Sequence, residues 1–259
     1  LLTLLLGAFT GTVRIEQRLA ADTASRAQGR AAAEAVLHYL AAVHRVGGDL
    51  WAGMPGQVFV LPFMDQHIRF RLLPEEAFLS LNGASAEQLL ILMSGVAPDE
   101  PGRDTWLEQV MRRREGGMDE QGNMSAPQPW LSVAELIQLP GVSREVIDRL
   151  MPHLTVDSVH LGVDFRYASR ALLTLLLGES AAQGVIEEHA QSGDMPLRSG
   201  GPADMHTTIT SGIYRIQVEL AHAGRVRQLE ATARFGESAA GYQLIRWNDY
   251  TARFALDGY

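Results

Sequence analysis

The chain has 259 residues, 46% hydrophobic and 20% charged: enough apolar content for one or two packed domains, and too low in charge and too rich in apolar residues for global disorder. Its 22 basic residues, all arginine, face 30 acids, and the net charge of −8 leaves no overall field to gather nucleic acid or anionic lipid. The absence of cysteine removes disulfide frameworks, thiolate nucleophiles and cysteine-ligated zinc, and it assigns no compartment.

Charge divides the chain into three unequal pieces. Residues 1–71 carry seven Arg and five acids, residues 72–205 nine Arg and 20 acids, and residues 206–259 six Arg and five acids. The middle piece alone stands at −11, the pattern of a module inserted between two halves of another domain; three domains in a row would give the same count.

The chain opens with Leu1-Leu2-Thr3-Leu4-Leu5-Leu6-Gly7-Ala8-Phe9 and meets no charge until Arg14. A membrane span needs about 20 apolar residues, so this run is read as the trimmed end of a longer apolar helix; a secretory signal fits less well because no clean cleavage site precedes a polar start. Leu1, Leu2, Leu4, Leu5, Leu6, Phe9 and Val13 are the candidate membrane or filament residues, and Arg14, Glu16 and Arg18 mark where charge becomes tolerable. Farther on, Val36, Leu37, Leu40 and Val43 recur at helical spacing as the candidate packing positions of the helix against its partner. Arg26, Arg30 and Glu34 form a polar series, and Gly47-Gly48 ends the pattern. One long helix, apolar first and amphipathic later, is expected; composition alone does not separate it from an ordinary bundle helix.

A single short strand follows, in which Ile68, Phe70 and Leu72 alternate with His67, Arg69 and Arg71 until Pro74. The middle piece reads as helical. Ser85 with Gln88 and Ser132 with Glu135 have capping-box spacing, and Asp104 can cap a helix through Trp106, Leu107 and Val110. Gly95, Gly116-Gly117 and Gly178 are candidate stops, and residues 116–129 and 193–202 read as loops. Leu79–Ala84 before a helix at Ala86–Met93 is echoed by Leu161–Arg166 before a helix at Ser169–Leu177, with Asn82 or Asp164 able to cap, which allows two small helical subdomains.

In the last piece, Tyr214, Ile216, Val218 and Leu220 alternate with Arg215, Gln217 and Glu219. After a turn, Leu229, Ala231, Ala233 and Phe235 alternate with polar residues, and a short run from Tyr242 to Trp247 closes the pattern. These strands make an antiparallel meander with one polar face, whose other face the amphipathic N-terminal helix can cover. The expected class is α+β: a helix over 1–48, a first strand region over 49–76, an inserted all-helical domain over 77–205, and a meander over 206–259 that completes the sheet.

Chemical motifs are sparse. Nucleophile elbows, phosphate loops, dinucleotide fingerprints and zinc helices are absent. Glu187-Glu188-His189 reads as the solvated end of a helix, and the acids Asp99, Glu100, Asp104, Asp119, Glu120, Asp194 and Asp204, with Met118 and Met124 nearby, read as acidic loop surface. Ser132–Leu139, Pro140-Gly141 and a following helix at Arg144–Leu150 form a helix-hairpin-helix pattern, but Ser143 replaces the second glycine of the nucleic-acid version and Glu145 and Asp148 offset Arg144 and Arg149. The hairpin is therefore read as a packing device.

The order of these features resembles the K-type minor pseudopilins of bacterial type II secretion (general secretion pathway protein K). The similarity rests on Leu79-Ser80-Leu81-Asn82-Gly83-Ala84-Ser85, on Trp130–Leu136 leading into Leu139-Pro140-Gly141-Val142, on Pro152–Val156, and on the closing Tyr242–Trp247, with Leu81, Asn82, Pro140 and Gly141 as its motif residues. Gly83 stands where that family commonly has threonine, and Gly162–Phe165 has largely lost the pattern, so the chain resembles a divergent member.

The resemblance implies a pilin-like fold and a structural, non-enzymatic role at the tip of the pseudopilus, in complex with I- and J-type minor pseudopilins and above the H-type subunit. It implies a leader cleaved upstream of Leu1, an inner-membrane anchor crossing once, and a globular part in the periplasm supporting protein export. No cofactor is required, and calcium, bound by some family members, is allowed without an assigned ligand. Nucleic acid is not an expected partner. A helix-hairpin-helix protein of DNA binding or uptake stands second, and a periplasmic enzyme far behind.

Overall fold

A computed structural model describes residues 2–64, 66–118, 124–192, 205–222, 225–236, 238–248 and 256, with the side chains of 2–14, 118, 125, 192, 222, 225 and 248 outside that description. Helix α1 (Leu2–Val46) is unbroken for 45 residues, about 67 Å at 1.5 Å per residue. It ends where expected: Gly47 and Gly48 take φ values of 68° and 59°, a left-handed conformation that glycine adopts without a Cβ clash. Among the described side chains, the apolar contact of α1 with the rest of the chain lies in its second half. Residues 15–24 are exposed, whereas Ala32, Ala33, Val36, Leu37, Leu40, Ala41 and Val43 are buried.

Helix α2 (Gly48–Ala52) leads into a hairpin of β1 (Val58–Phe63) and β2 (Gln66–Pro74). The sequence shows only the second of these strands because Val-Phe-Val-Leu-Pro-Phe is apolar on both faces and lacks alternation. Its Pro62 is tolerated because β1 lies at the sheet edge. The sheet runs β1-β2-β7-β8-β9, antiparallel throughout, with β7 at Ile213–His222, β8 at Arg225–Phe235 and β9 at Tyr242–Asn248. Register sets one apolar face: Leu72 lies opposite Ile216, Phe70 opposite Val218, and Val218 opposite Leu229. That face packs on α1. A register shift between Thr232 and Ala233 leaves Ile245 unpaired and lets both Tyr242 and Trp247 join the core under the helix. The Arg30 guanidinium lies 5.1 Å over the Trp247 ring.

Between β2 and β7 the chain forms a 3-10 turn (Glu75–Ala77), β3 (Leu79–Ser80), α3 (Ala86–Val96), α4 (Arg103–Glu115), β4 (Gly117–Met118), β5 (Met124–Ser125), a second 3-10 turn (Val133–Gln138), α5 (Arg144–Leu150), β6 (Leu154–Thr155), α6 (Arg170–Leu177) and α7 (Glu179–Ser192). This helical insertion carries two small ladders, β3 parallel to β6 and β4 antiparallel to β5. The Ser85–Gln88 capping box forms in both directions, and Ser143 and Ser169 cap α5 and α6.

Several local expectations change. Ser132 caps Ala134 in a 3-10 segment, because Leu139 before Pro140 is held extended (ψ 131°) and shortens the run. Asp104 lies inside the first turn of α4, exposed beside Arg103, and Gly102 occupies the cap position. Gly95 sits within α3, where a Cβ would come 2.7 Å from the Leu175 side chain; it serves the close approach of α3 to α6 and does not end the helix. Asn82 and Asp164 cap nothing; Asn82 bonds Trp130 and Val156, and Asp164 binds Arg166. The echoed segments do not make two subdomains either, since Leu89, Leu92, Trp106, Trp130, Leu150, Leu172 and Leu176 share one core.

Candidate functional site

The first feature is the apolar surface that α1 leaves bare before it reaches the sheet. Ile15 and Leu19 are 59% and 62% accessible, one helical turn apart on the same side. Among the earlier candidates, Leu1 lies outside the described residues; Leu2, Leu4, Leu5, Leu6, Phe9 and Val13 fall on α1 with side chains outside the description. No helix among the described residues is long and apolar enough to cross a membrane. Val36, Leu37, Leu40 and Val43 pack against the chain's own sheet, so they offer nothing to a neighbouring subunit.

The second feature is the opposite face of the sheet. This is the polar face of the meander, yet Arg71, Arg215, Gln217, Glu230 and Thr232 are buried there. The insertion covers it through a polar network. Glu75 accepts Arg215 Nε at 3.1 Å and Nη2 at 3.0 Å, and also accepts the Thr155 hydroxyl. The Arg215 guanidinium lies 3.6 Å over the Phe78 ring. Burial alone would lower the basicity of Arg215; Glu75 and Glu230 outweigh it and raise it. Arg246 on β9 donates to the Leu131 carbonyl at 2.6 Å and to Asp157 at 2.7 Å. Sheet and insertion are thus joined by charge as well as by the small apolar group of Leu73, Ala77 and Phe78.

Sequence reading passed over Glu75 and Glu76. A signal was present: Leu72-Leu73-Pro74-Glu75-Glu76-Ala77-Phe78-Leu79 places two acids inside an otherwise apolar stretch, where a solvated turn would be more polar. Alternation places Arg215 on the polar face of the meander, but it reports only which residues share a face, and nothing about what covers that face.

The family-like motif residues have structural tasks. Leu81 is fully buried, and Asn82 both donates to the Trp130 carbonyl (2.9 Å) and accepts the Trp130 N–H (2.8 Å). A Cβ on Gly83 would meet the His160 carbonyl and come 2.6 Å from its amide nitrogen, which explains why threonine does not stand here. Gly141 follows Pro140 at φ 92°, and its carbonyl presses on Gly102 so closely that Gly102 has no room for a Cβ. The arginines of this hairpin are engaged: Arg144 with Asp148 at 3.6 Å, and Arg149 with the Val96 carbonyl at 3.1 Å.

Of the acids considered for a cation, Asp119, Glu120, Asp194 and Asp204 lie outside the described residues. Among the described residues no group of three or more His, Asp or Glu converges as a metal site. Glu187 is exposed on α7, held by Gln183 at 2.6 Å.

A cleft of about 340 Å³ opens where α2, the end of β2, the segment 164–167 and the approach to β7 meet. Trp51, Tyr167 and Tyr214 are half-buried in its wall, with Glu76, Asp164 and Arg166 among them. The Trp51 and Tyr214 rings stand nearly perpendicular with centroids 5.3 Å apart.

No protein-family model matches the chain, and no curated protein matches it by sequence. Five chains of solved structures do match by fold. One is a chain from the crystal structure of the GspK–GspI–GspJ complex of the enterotoxigenic Escherichia coli type 2 secretion system. The TM-score is 0.60 over 88% of this chain and 99% of that one, at 11% identity. The fold is therefore the α+β arrangement found in that complex: a long N-terminal helix on an antiparallel sheet, interrupted by a helical insertion.

Proposed function

We propose that the chain is a K-type minor pseudopilin: a structural subunit without catalytic activity that joins I- and J-type partners at the tip of a type II secretion pseudopilus and supports protein export. The observation that carries the reading is the stalk of α1, on which Ile15 and Leu19 are bare, whereas the apolar stripe from Ala32 to Val43 is buried against the sheet. Apolar helix surface of this kind packs beside neighbouring helices by interlocking side chains. The fold shared along 88% of the chain with a member of the GspK–GspI–GspJ complex supports the same assignment.

In this reading the stalk is held in the bacterial inner membrane before assembly, the globular part faces the periplasm, and an H-type subunit lies below. The insertion sits at the far end from the stalk as a terminal lid. The test is co-purification with I- and J-type minor pseudopilins. The wild-type chain recovers both; Leu19→Arg, exposed in the isolated chain, folds normally and loses them. Failure of the wild type to recover either partner, or full recovery by the Arg variant, refutes the reading. The DNA reading receives no support from a hairpin whose arginines bind the chain's own acids and carbonyls.

A further inference from the structure

We propose that the cleft between α2 and the insertion binds an organic cation, a guanidinium or alkylammonium group, between the rings of Trp51, Tyr167 and Tyr214 with Glu76 as its counter-charge. The inference goes beyond the tip assignment and does not depend on it.

The first observation is the charge balance of the cleft. Glu76 is 2% accessible. One carboxylate oxygen accepts the Ser158 hydroxyl (3.2 Å) and the Ser211 N–H (2.7 Å), both neutral donors. The other, Oε2, is buried and has no hydrogen-bond partner among the described residues. A buried carboxylate oxygen without a donor is costly, and a cationic N–H is the donor that compensates it best. The other two charges in the wall cancel: Arg166 donates to both oxygens of Asp164, at 3.0 and 2.7 Å, and lies 5.2 Å over the Tyr167 ring. Among the described lining residues, Glu76 is the acid that Arg166 does not chelate.

The second observation is the wall itself. Aromatic faces carry the negative lobe of the ring quadrupole and attract cations within about 6 Å, tryptophan most strongly. Here Trp51 and Tyr214 form a right-angled corner, Tyr167 stands as a further wall, and Pro55 and Pro74 fill the sides. Burial, with Glu76 adding to it and a hydrogen bond from Trp51 opposing, raises the Tyr214 phenol and keeps it a neutral donor. A hard divalent cation would need six or more oxygens, and among the described lining residues, with Asp164 engaged by Arg166, Glu76 alone has a carboxylate oxygen without a donor. An anion would face Glu76 and find Arg166 already chelated. The volume, at the lower end for ligand sites, suits an arginine or lysine side chain or a small free amine.

The experiment follows the Trp51 indole N–H resonance, assigned with Trp51→Phe, while the purified chain is titrated with agmatine and separately with a blocked Gly-Arg-Gly peptide. Blocked Gly-citrulline-Gly serves as the neutral match. A saturable shift with a cationic probe, at least tenfold weaker with citrulline and at least tenfold weaker in Glu76→Gln, is the expected result. Tighter binding of the peptide assigns the cation to a protein side chain, and equal or tighter binding of agmatine assigns it to a free amine. If Glu76→Gln does not fold, Tyr167→Leu replaces it with the same expected loss. No saturable shift with either probe, equal affinity for citrulline, or undiminished binding in the variant overturns the proposal. A chain that binds agmatine but ignores the I- and J-type partners would leave this site standing and remove only the tip assignment.

Discussion

Replacing Glu75 by Gln tests whether the sheet and the insertion are held together by the buried ion pair. The change keeps size and shape and removes one charge. The Glu75 side chain is 0% accessible and that of Arg215 is 10%, so solvent cannot replace the lost partner. Removing one member of a buried pair costs about 3–5 kcal/mol because the other charge is left uncompensated. Arg215 keeps Glu230 at 3.8 Å and the Leu154 carbonyl at 3.4 Å, which places the expected loss near the lower end, about 3 kcal/mol. For a chain of this size that corresponds to a melting temperature lower by about 6–10 °C. Urea unfolding followed by circular dichroism and tryptophan fluorescence measures it. Adding Arg215→Met restores most of the loss, because an apolar replacement of a buried pair is close to neutral. A loss under about 1 kcal/mol for Glu75→Gln, or a double variant as unstable as the two single changes added together, refutes the reasoning.

Three further outcomes follow from the same geometry. Asn82→Ala removes three hydrogen bonds that tie Trp130 and Val156 to the start of the insertion, and urea unfolding should register a loss of about 2 kcal/mol. Gly83→Thr, the residue common in the resembled family, forces side-chain atoms into the His160 backbone and lowers stability by about 3 kcal/mol in the same assay; a neutral result refutes the close approach. His153 is half-buried and its basicity is lowered by burial below the ordinary 6.5. The unfolded chain therefore takes up its proton first, so stability present above pH 6.5 is lost as pH falls through that value toward the folded one. His153→Gln flattens this part of the profile, and an unchanged slope between pH 7 and 5 would count against the burial argument.

The sequence made the N-terminal helix and the meander legible because their signals are periodic: apolar residues every three or four positions up to Val43, alternation from Tyr214 to Phe235, and a glycine pair as the stop. It concealed β1, whose six apolar residues have no period to read. It also concealed both polar features of the site. Glu75 and Glu76 are short acidic side chains in a turn, and their burial is decided by the insertion folding over them from residues 154–158 and 211, far away in the chain. Gly83 and Gly95 were legible as glycines, but their reason, contact with the His160 backbone and the Leu175 side chain, depends on tertiary neighbours. Local pattern reports periodicity and caps; it does not report what lies across from a face.

The helix that emerges from the sheet has no break at the boundary between its free and anchored halves. A tug along its axis would be delivered as shear across Ala32, Val36, Leu40 and their counterparts in the strands, a seam reinforced near its lower edge by Asp22 and Arg227 at 3.2 Å. Because the far side of those strands is riveted to the acidic lobe, displacement at the tail would carry the whole head with it. Force applied to the stalk would thus reach the acidic lobe through the strands, because α1 runs without interruption from Leu2 to Val46.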